Sequence, residues 1–308
     1  MTLDRAEDLK PASYRRTEHI PLGIALMLGT TILYATSTAI SKWQVASYSF
    51  AEVLFFRTAV SLVVVAALVL PRMGITVFRT KRLRDHAARS FTQTAAQSLI
   101  LIALSMMPLA GAMAINFSAP LFATLFAALW LKEKVGLARA AALAAGFGGV
   151  LLVTSPGADS VSTGALFALG NAVLYGSVTA AVRGMSETES PQTLAIYQML
   201  FMTLFFAVAL PVFGFSVPTG RDALAMIAAG VCNGFGQYWW TRSLSLAPPA
   251  AVGPFYYFTL VWAMVLGFVF WGDVPSLELL AGSAVVVGSG LFLLWHEAAK
   301  KQAKGRSA

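Results

Sequence analysis

Ten stretches of about 20 mainly apolar residues follow one another along this chain, and each is as long as a helix must be to cross the hydrocarbon of a bilayer. Backbone amides cannot stay unpaired in lipid, so such stretches become helices rather than loose chain. They lie near residues 21–44, 51–71, 88–107, 110–131, 136–154, 161–183, 192–212, 222–246, 250–271 and 277–296. Apolar residues make up 57% and charged ones only 12% of 308, so no soluble domain remains outside these runs. The expected fold class is therefore an all-α polytopic membrane protein with ten transmembrane helices. The first run is long enough to span, which argues for an uncleaved helix rather than a signal peptide.

The charges set the orientation. Arg5, Lys10, Arg15 and Arg16 precede the first run, while Arg72, Arg79, Lys81, Arg82 and Arg84 follow the second. Lys132, Lys134 and the tail with Lys300, Lys301, Lys304 and Arg306 fall on the same side after ten crossings, so the positive-inside bias puts both termini in the cytoplasm. This topology accounts for the net charge of +8, and no nucleic-acid-binding module accompanies it. Trp43, Trp130, Trp271 and Trp295 stand near span ends as interface anchors. The single cysteine, Cys232, lies inside a span and says nothing about redox compartment.

The chain is also written twice. "LGTTILYATSTAISK" (28–42) returns 141 residues later as "LGNAVLYGSVTAAVR" (169–183), and further on Ser49 matches Ser190, Gln97 matches Gln237, Pro108 matches Pro248 and Gly148 matches Gly288. An odd number of crossings per copy forces the second copy to insert upside down. The charges agree: Lys132-Glu133-Lys134 becomes Gly272-Asp273-Val274 where the loop faces outward. The expected organisation is a tail over 1–20, a first five-helix repeat over 21–154, an inverted second repeat over 161–296 and a tail over 297–308. Inverted repeats are the mark of secondary transporters, with binding near the midplane between the halves.

Several segments carry a family likeness: "LYATSTAISK" in the first helix, "FFRTAVSLV" with Arg57 in the second, and the block "LSMMPLAGAMAINFSAPLFATLFAALWLKEK". With the ten spans and the Gly-rich fifth helix, the chain resembles the drug/metabolite transporter superfamily in its EamA-type bacterial branch, over almost its whole length. Within that branch it is similar to inner-membrane amino-acid exporters, including aromatic amino-acid ones. The resemblance implies a central cavity bounded by helices 1, 3, 4, 6, 8 and 9.

Polar residues stacked at helical spacing point to the same place, because a polar side chain is costly unless it faces protein or water. Tyr34 and Thr38, with Thr30, share one face of the first helix, and Asn171 and Tyr175, with Thr179, share the matching face of the sixth. Gln93 and Gln97 pair by the repeat with Asn233 and Gln237, and Asn116 maps onto Tyr256. Trp240, three residues after Gln237, extends the polar face with a ring able to pack an apolar group or hold a cation. These residues are the expected substrate-binding set. The competing reading for each is an interhelical hydrogen bond that merely glues helices, worth roughly 0.6 to 2 kcal/mol. For a lone Thr the glue reading wins; for the large amides, lining a site is favoured.

Arg57 and Arg242 are the arginines inside spans, and both are read first as structural or snorkelling. No Asp, Glu or His reaches mid-span, so transport is expected to run down the substrate gradient, or any proton coupling to use an unconventional site. Gly230-x-x-x-Gly234 and Gly146, Gly148 and Gly149 read as helix-packing glycines, and no P-loop, zinc or nucleophile-elbow motif suggests an enzyme, a metal site or a cofactor. The expected function is an inner-membrane exporter or facilitator of zwitterionic or neutral metabolites, amino acids first, using alternating access through a central neutral cavity. Another metabolite class (nucleoside, sugar phosphate or drug-like compound) and a structural or sensor protein are the alternatives. The expected partners are the small-molecule substrate and the bilayer, with oligomeric state open.

Overall fold

The computed structural model describes residues 19–130, 137–154, 163–186, 188–247 and 249–306. Its helices are α1 (Ile20–Gln44), α2 (Phe50–Met73), α3 (Leu83–Met106), α4 (Leu109–Asn116), α5 (Ala119–Trp130), α6 (Leu137–Thr154), α7 (Thr163–Met185), α8 (Pro191–Phe213), α9 (Gly220–Leu246), α10 (Pro249–Tyr256), α11 (Phe258–Trp271) and α12 (Leu277–Arg306). No strand occurs among the described residues. The fourth crossing is α4 followed by α5, and the ninth is α10 followed by α11, which gives ten membrane-crossing helices. The basic tail before residue 19, the Lys132-Glu133-Lys134 connection and Pro248 lie outside the described residues.

Local chemistry repeats with the sequence. Ser49 caps α2 by accepting from the Glu52 amide at 3.2 Å, and Ser190 caps α8 by accepting from the Thr193 amide at 3.1 Å. Both helices carry a late proline, Pro71 and Pro211, and both stop at a glycine with positive φ, Gly74 at 59° and Gly214 at 90°. The recurrence of Ser49 as Ser190 thus records a capping requirement that each copy must meet.

Packing repeats too. α1 lies on α9 as α7 lies on α3; α2 lies on α9 as α8 lies on α3; α5 lies on α7 as α11 lies on α1. α2 meets its own mate α8, and α6 meets its own mate α12, as elements on a twofold axis must. With five crossings per copy, that axis lies in the membrane plane, and the fold is two inverted five-helix repeats.

Small residues set the closest approaches. A Cβ added at Gly149 on α6 would stand 2.9 Å from the Gly282 carbonyl oxygen on α12, and one added at Gly282 would stand 2.7 Å from the Gly149 oxygen. Gly230 and Gly234 on α9 seat Val60 and Val64 of α2 in the same manner, whereas Gly148 faces open space. Seven crossings are long and apolar enough to span by length and composition; α6 contributes only the shorter apolar stretch Ala140–Val153, and α3 and α9 are not among the seven. Those two helices are repeat mates, and the amides of the central cavity make them polar.

Two features differ from the sequence expectation. The fourth and ninth crossings are each broken near the middle, at Phe117-Ser118, where Pro120 has no N–H for the Asn116 carbonyl, and at Tyr257, whose N–H bonds the Pro254 carbonyl in a tightened last turn. Also, α12 runs on to Arg306, well past the end of its apolar run. Trp43 is exposed near the end of α1 and Trp295 near the end of its apolar run, as anchors should be; Trp271 is instead half-covered, with Lys42 Nζ 5.4 Å from its ring centroid, and the Trp130 side chain lies outside the described set.

Candidate functional site

A cavity of about 110 Å³, room for several waters, lies between the two repeats at mid-height. α1 contributes Tyr34 and Thr38; α3, Gln93 and Gln97; α4 and α10, Asn116 and Tyr256 at the last residue before each break; α7, Asn171 and Tyr175; and α9, Asn233 and Gln237. Irregular backbone is tolerated at this depth where it lines a cavity, so the breaks and the hollow belong together. Of the expected set, only Trp240 is elsewhere: it packs with Met27, Ala247 and Val252 under the end of α9. Its place on the α9 face was inferred from spacing alone, and Gly23 lets α1 approach that end closely enough to cover the ring region with apolar groups. Thr30 is fully buried and donates to the Leu26 and Gly236 carbonyls, the glue role expected of a lone Thr.

The wall is a set of paired amides and phenols that bridge the repeats. Tyr34 Oη donates to Gln237 Oε1 at 2.7 Å, Asn171 Nδ2 donates to Asn116 Oδ1 at 2.6 Å, and Asn233 Nδ2 donates to Ser61 Oγ at 2.9 Å. The Tyr34 and Tyr256 rings meet edge to face at 6.5 Å. Each amide still carries unused donor or acceptor capacity facing the hollow, since one Asn or Gln offers more than a single partner takes.

Charge is where the sequence expectation must be corrected. The cavity is not uncharged: Arg57 lines it, only 7% exposed, with Nη2 donating to Gln97 Oε1 at 2.6 Å and Nη1 to Ser41 Oγ at 3.4 Å. Its Nε has no partner among the described residues, and no carboxylate is among the described lining residues. Arg57 also breaks the pseudo-symmetry, because it holds Gln97 while the mate Gln237 is held by Tyr34, and its own mate is the neutral Gln198. Gln198 lines the cavity and accepts from Arg89 Nη1 at 3.2 Å, while Arg89 Nη2 donates to the Leu194 carbonyl at 2.8 Å. Sequence reasoning missed Arg89 because it sits at the edge of its apolar run, where an arginine looks like an ordinary end charge. The available signal for Arg57 was that its partner in the other repeat is not charged. Thr58, Thr259, three methionines (Met113, Met199, Met202) and the α3 side chains Ile100, Leu101 and Leu104 complete the wall and are too common in spans to single out from sequence.

Comparison with known proteins decides the family. The model of the EamA-like transporter family matches residues 21–155 and again 162–295. The chain belongs to the EamA-like transporter family. A riboflavin transporter of Vibrio cholerae serotype O1 is 30% identical to this EamA-like chain over 92% of it and 97% of the relative. A pseudopaline exporter of Pseudomonas aeruginosa is 26% identical over 86% and 93%. One solved crystal structure, 22% identical with a TM-score of 0.63, covers 88% of this chain and 96% of its own, and supports the fold.

In this EamA-like transporter the two ends of the cavity are not equivalent. On the face opposite the termini, Lys42 at the end of α1 donates to the carbonyls of Leu104, in the last turn of α3, and of Met107, which caps it, at 2.8 and 2.6 Å. α1 touches α3 and α4 touches α11 there, whereas the mate pairs, α7 with α9 and α10 with α5, make no comparable contact among the described residues. Thr179, on the α7 face that carries Asn171 and Tyr175, is exposed; its mate Thr38 is half-covered. Away from the cavity, loops tie the halves on both faces: Thr80 donates to Glu189 at 2.6 Å on one, and Tyr48 donates to Asp222 at 2.7 Å on the other.

Proposed function

We propose that the protein carries a small, polar, flavin-type heteroaromatic metabolite across the bacterial inner membrane, by alternating access through the central cavity and down the substrate gradient. The observation that carries this reading is the cavity itself, walled by tyrosines, bridging amides and one buried guanidinium at the junction of inverted repeats. A flat ring system suits Tyr34, Tyr175 and Tyr256. Ring carbonyls suit Arg57 and the amide donors, and hydroxyls suit the remaining Asn and Gln groups. The Vibrio cholerae relative, named a riboflavin transporter, supports that substrate class.

The amino-acid reading stands second. Arg57 favours it, since a guanidinium takes a carboxylate well, but the described lining offers no carboxylate for an ammonium group. Both termini are placed in the cytoplasm on the positive-inside bias, with Arg79, Lys81, Arg82 and Arg84 on their face. The Lys42 tie and the α4–α11 contact support a resting state closed on the outer face and open toward the cytoplasm. The lack of a carboxylate or imidazole in the described lining supports gradient-driven rather than proton-driven transport.

Counterflow in proteoliposomes tests the proposal. Labelled riboflavin should exchange in protein-containing vesicles and not in empty ones. Exchange of aromatic amino acids with riboflavin inert would establish the second reading, and exchange of neither, with nucleosides and sugar phosphates also inert, would overturn both.

A further inference from the structure

A second pocket, of about 160 Å³, opens between α2, α8 and α9 at the end of the bundle that holds the termini. Its rim carries Arg72 from the last turn of α2 and Arg242 from near the end of α9, with Gln192 from the first turn of α8 and Thr241 beside them. Its floor is apolar: Val65, Val69 and Ala195 belong to a buried cluster that Met73 and Tyr238 extend, and Leu68 lies alongside. No acidic residue is among the described lining residues. The helix ends place the rim at headgroup depth and the floor in hydrocarbon.

We infer that this pocket binds the phosphate headgroup of an anionic phospholipid. Arginine forks match phosphate oxygens, and basic pockets between membrane helices on the cytoplasmic side are suited to anionic headgroups. Arg72 spends one guanidinium donor on the Leu68 carbonyl at 2.9 Å, which folds it along α2 toward the pocket and leaves further N–H donors for a ligand. A free phosphate shares the chemistry of the rim but has no use for the apolar floor, and that floor favours the lipid. The pocket also meets the transport path, because Gln237 lines both hollows and holds Tyr34 through its Oε1. Lipid seated against α9 therefore touches the helix that carries the cavity amides, and transport should respond to it.

Native mass spectrometry of the detergent-purified protein tests the binding with phosphatidylglycerol, phosphatidylcholine and inorganic phosphate as probes. Phosphatidylglycerol adducts should exceed phosphatidylcholine adducts by roughly tenfold, and the Arg72→Gln/Arg242→Gln double variant should reduce them to the phosphatidylcholine level. Should that variant fail to fold, Leu68→Trp, which fills the floor and keeps both charges, should lose phosphatidylglycerol alone. Equal retention of the two lipids overturns the proposal, and displacement of phosphatidylglycerol by millimolar inorganic phosphate assigns the rim to a soluble phosphate instead. The functional arm rests on the carrier reading: counterflow should rise severalfold in phosphatidylglycerol vesicles for the native protein but not for the double variant. Lipid adducts without any counterflow would leave the lipid site standing and overturn the carrier reading; counterflow that rises equally in both proteins would overturn the link between them.

Discussion

Arg57 concentrates the chemistry of the cavity. A buried guanidinium with no carboxylate near it is costly in a membrane and is retained where it meets a ligand or a ring of acceptors. Here Gln97 Oε1 holds it at 2.6 Å, and a substrate carbonyl or carboxylate can take that oxygen's place. Replacing Arg57 by Gln should raise the substrate KM by about 10- to 100-fold, the range expected when a charged hydrogen bond of roughly 1.5 to 3 kcal/mol is lost. Membrane insertion, checked by size-exclusion profile in detergent, should stay native. An unchanged KM would return Arg57 to a purely structural role. Gln97→Ala and Asn233→Ala should each cut initial counterflow rates while leaving the fold intact; unchanged rates in both would mean that these amides only join helices.

Among the elements, the broken crossings and α1 are where the proposed alternating access can be tested. Pro120 keeps the Asn116 carbonyl from closing a helical turn, so Pro120→Ala should let α4 and α5 join into one straight helix. The expected outcome is a more heat-stable protein with much slower counterflow, read by thermal melting beside transport; a variant that melts higher and carries substrate at the native rate would show that the break is incidental. Lys42 ties α1 to the end of α3. Lys42→Met should loosen the outer face, so that a cysteine at Thr38, in a Cys232→Ala background, reacts severalfold faster with an impermeant thiol reagent added outside. Equal reaction rates would remove Lys42 from the gating account.

At the scale of the whole molecule, the two repeats meet on their pseudo-twofold axis where α2 packs on α8 and α6 on α12. α6 and α12 meet through Gly149 and Gly282, each sitting where a Cβ on the other would strike backbone oxygen. Gly149→Leu should therefore lower the melting temperature by several degrees or more and reduce folded yield, since neither backbone can yield without parting the repeats. A native melting curve would place the junction elsewhere.

The span count, the duplication and the polar faces were all legible in the sequence, because a bilayer demands long apolar helices and a duplication copies caps and amides together. Ser49 and Ser190 show this directly, since each caps its helix, and Gln97 and Gln237 recur on the cavity wall even though one is held by Arg57 and the other by Tyr34. Composition, period and repeat thus determined a ten-helix inverted fold and pointed to ten of the fourteen polar residues that line the cavity. The tertiary structure alone decided which arginine faces inward, that Trp240 packs away from the hollow, where the crossings break and at which end Lys42 ties α1 to the end of α3. Those outcomes depend on what stands across from a side chain on another helix, and helices written far apart in the chain carry no local record of who their neighbours are.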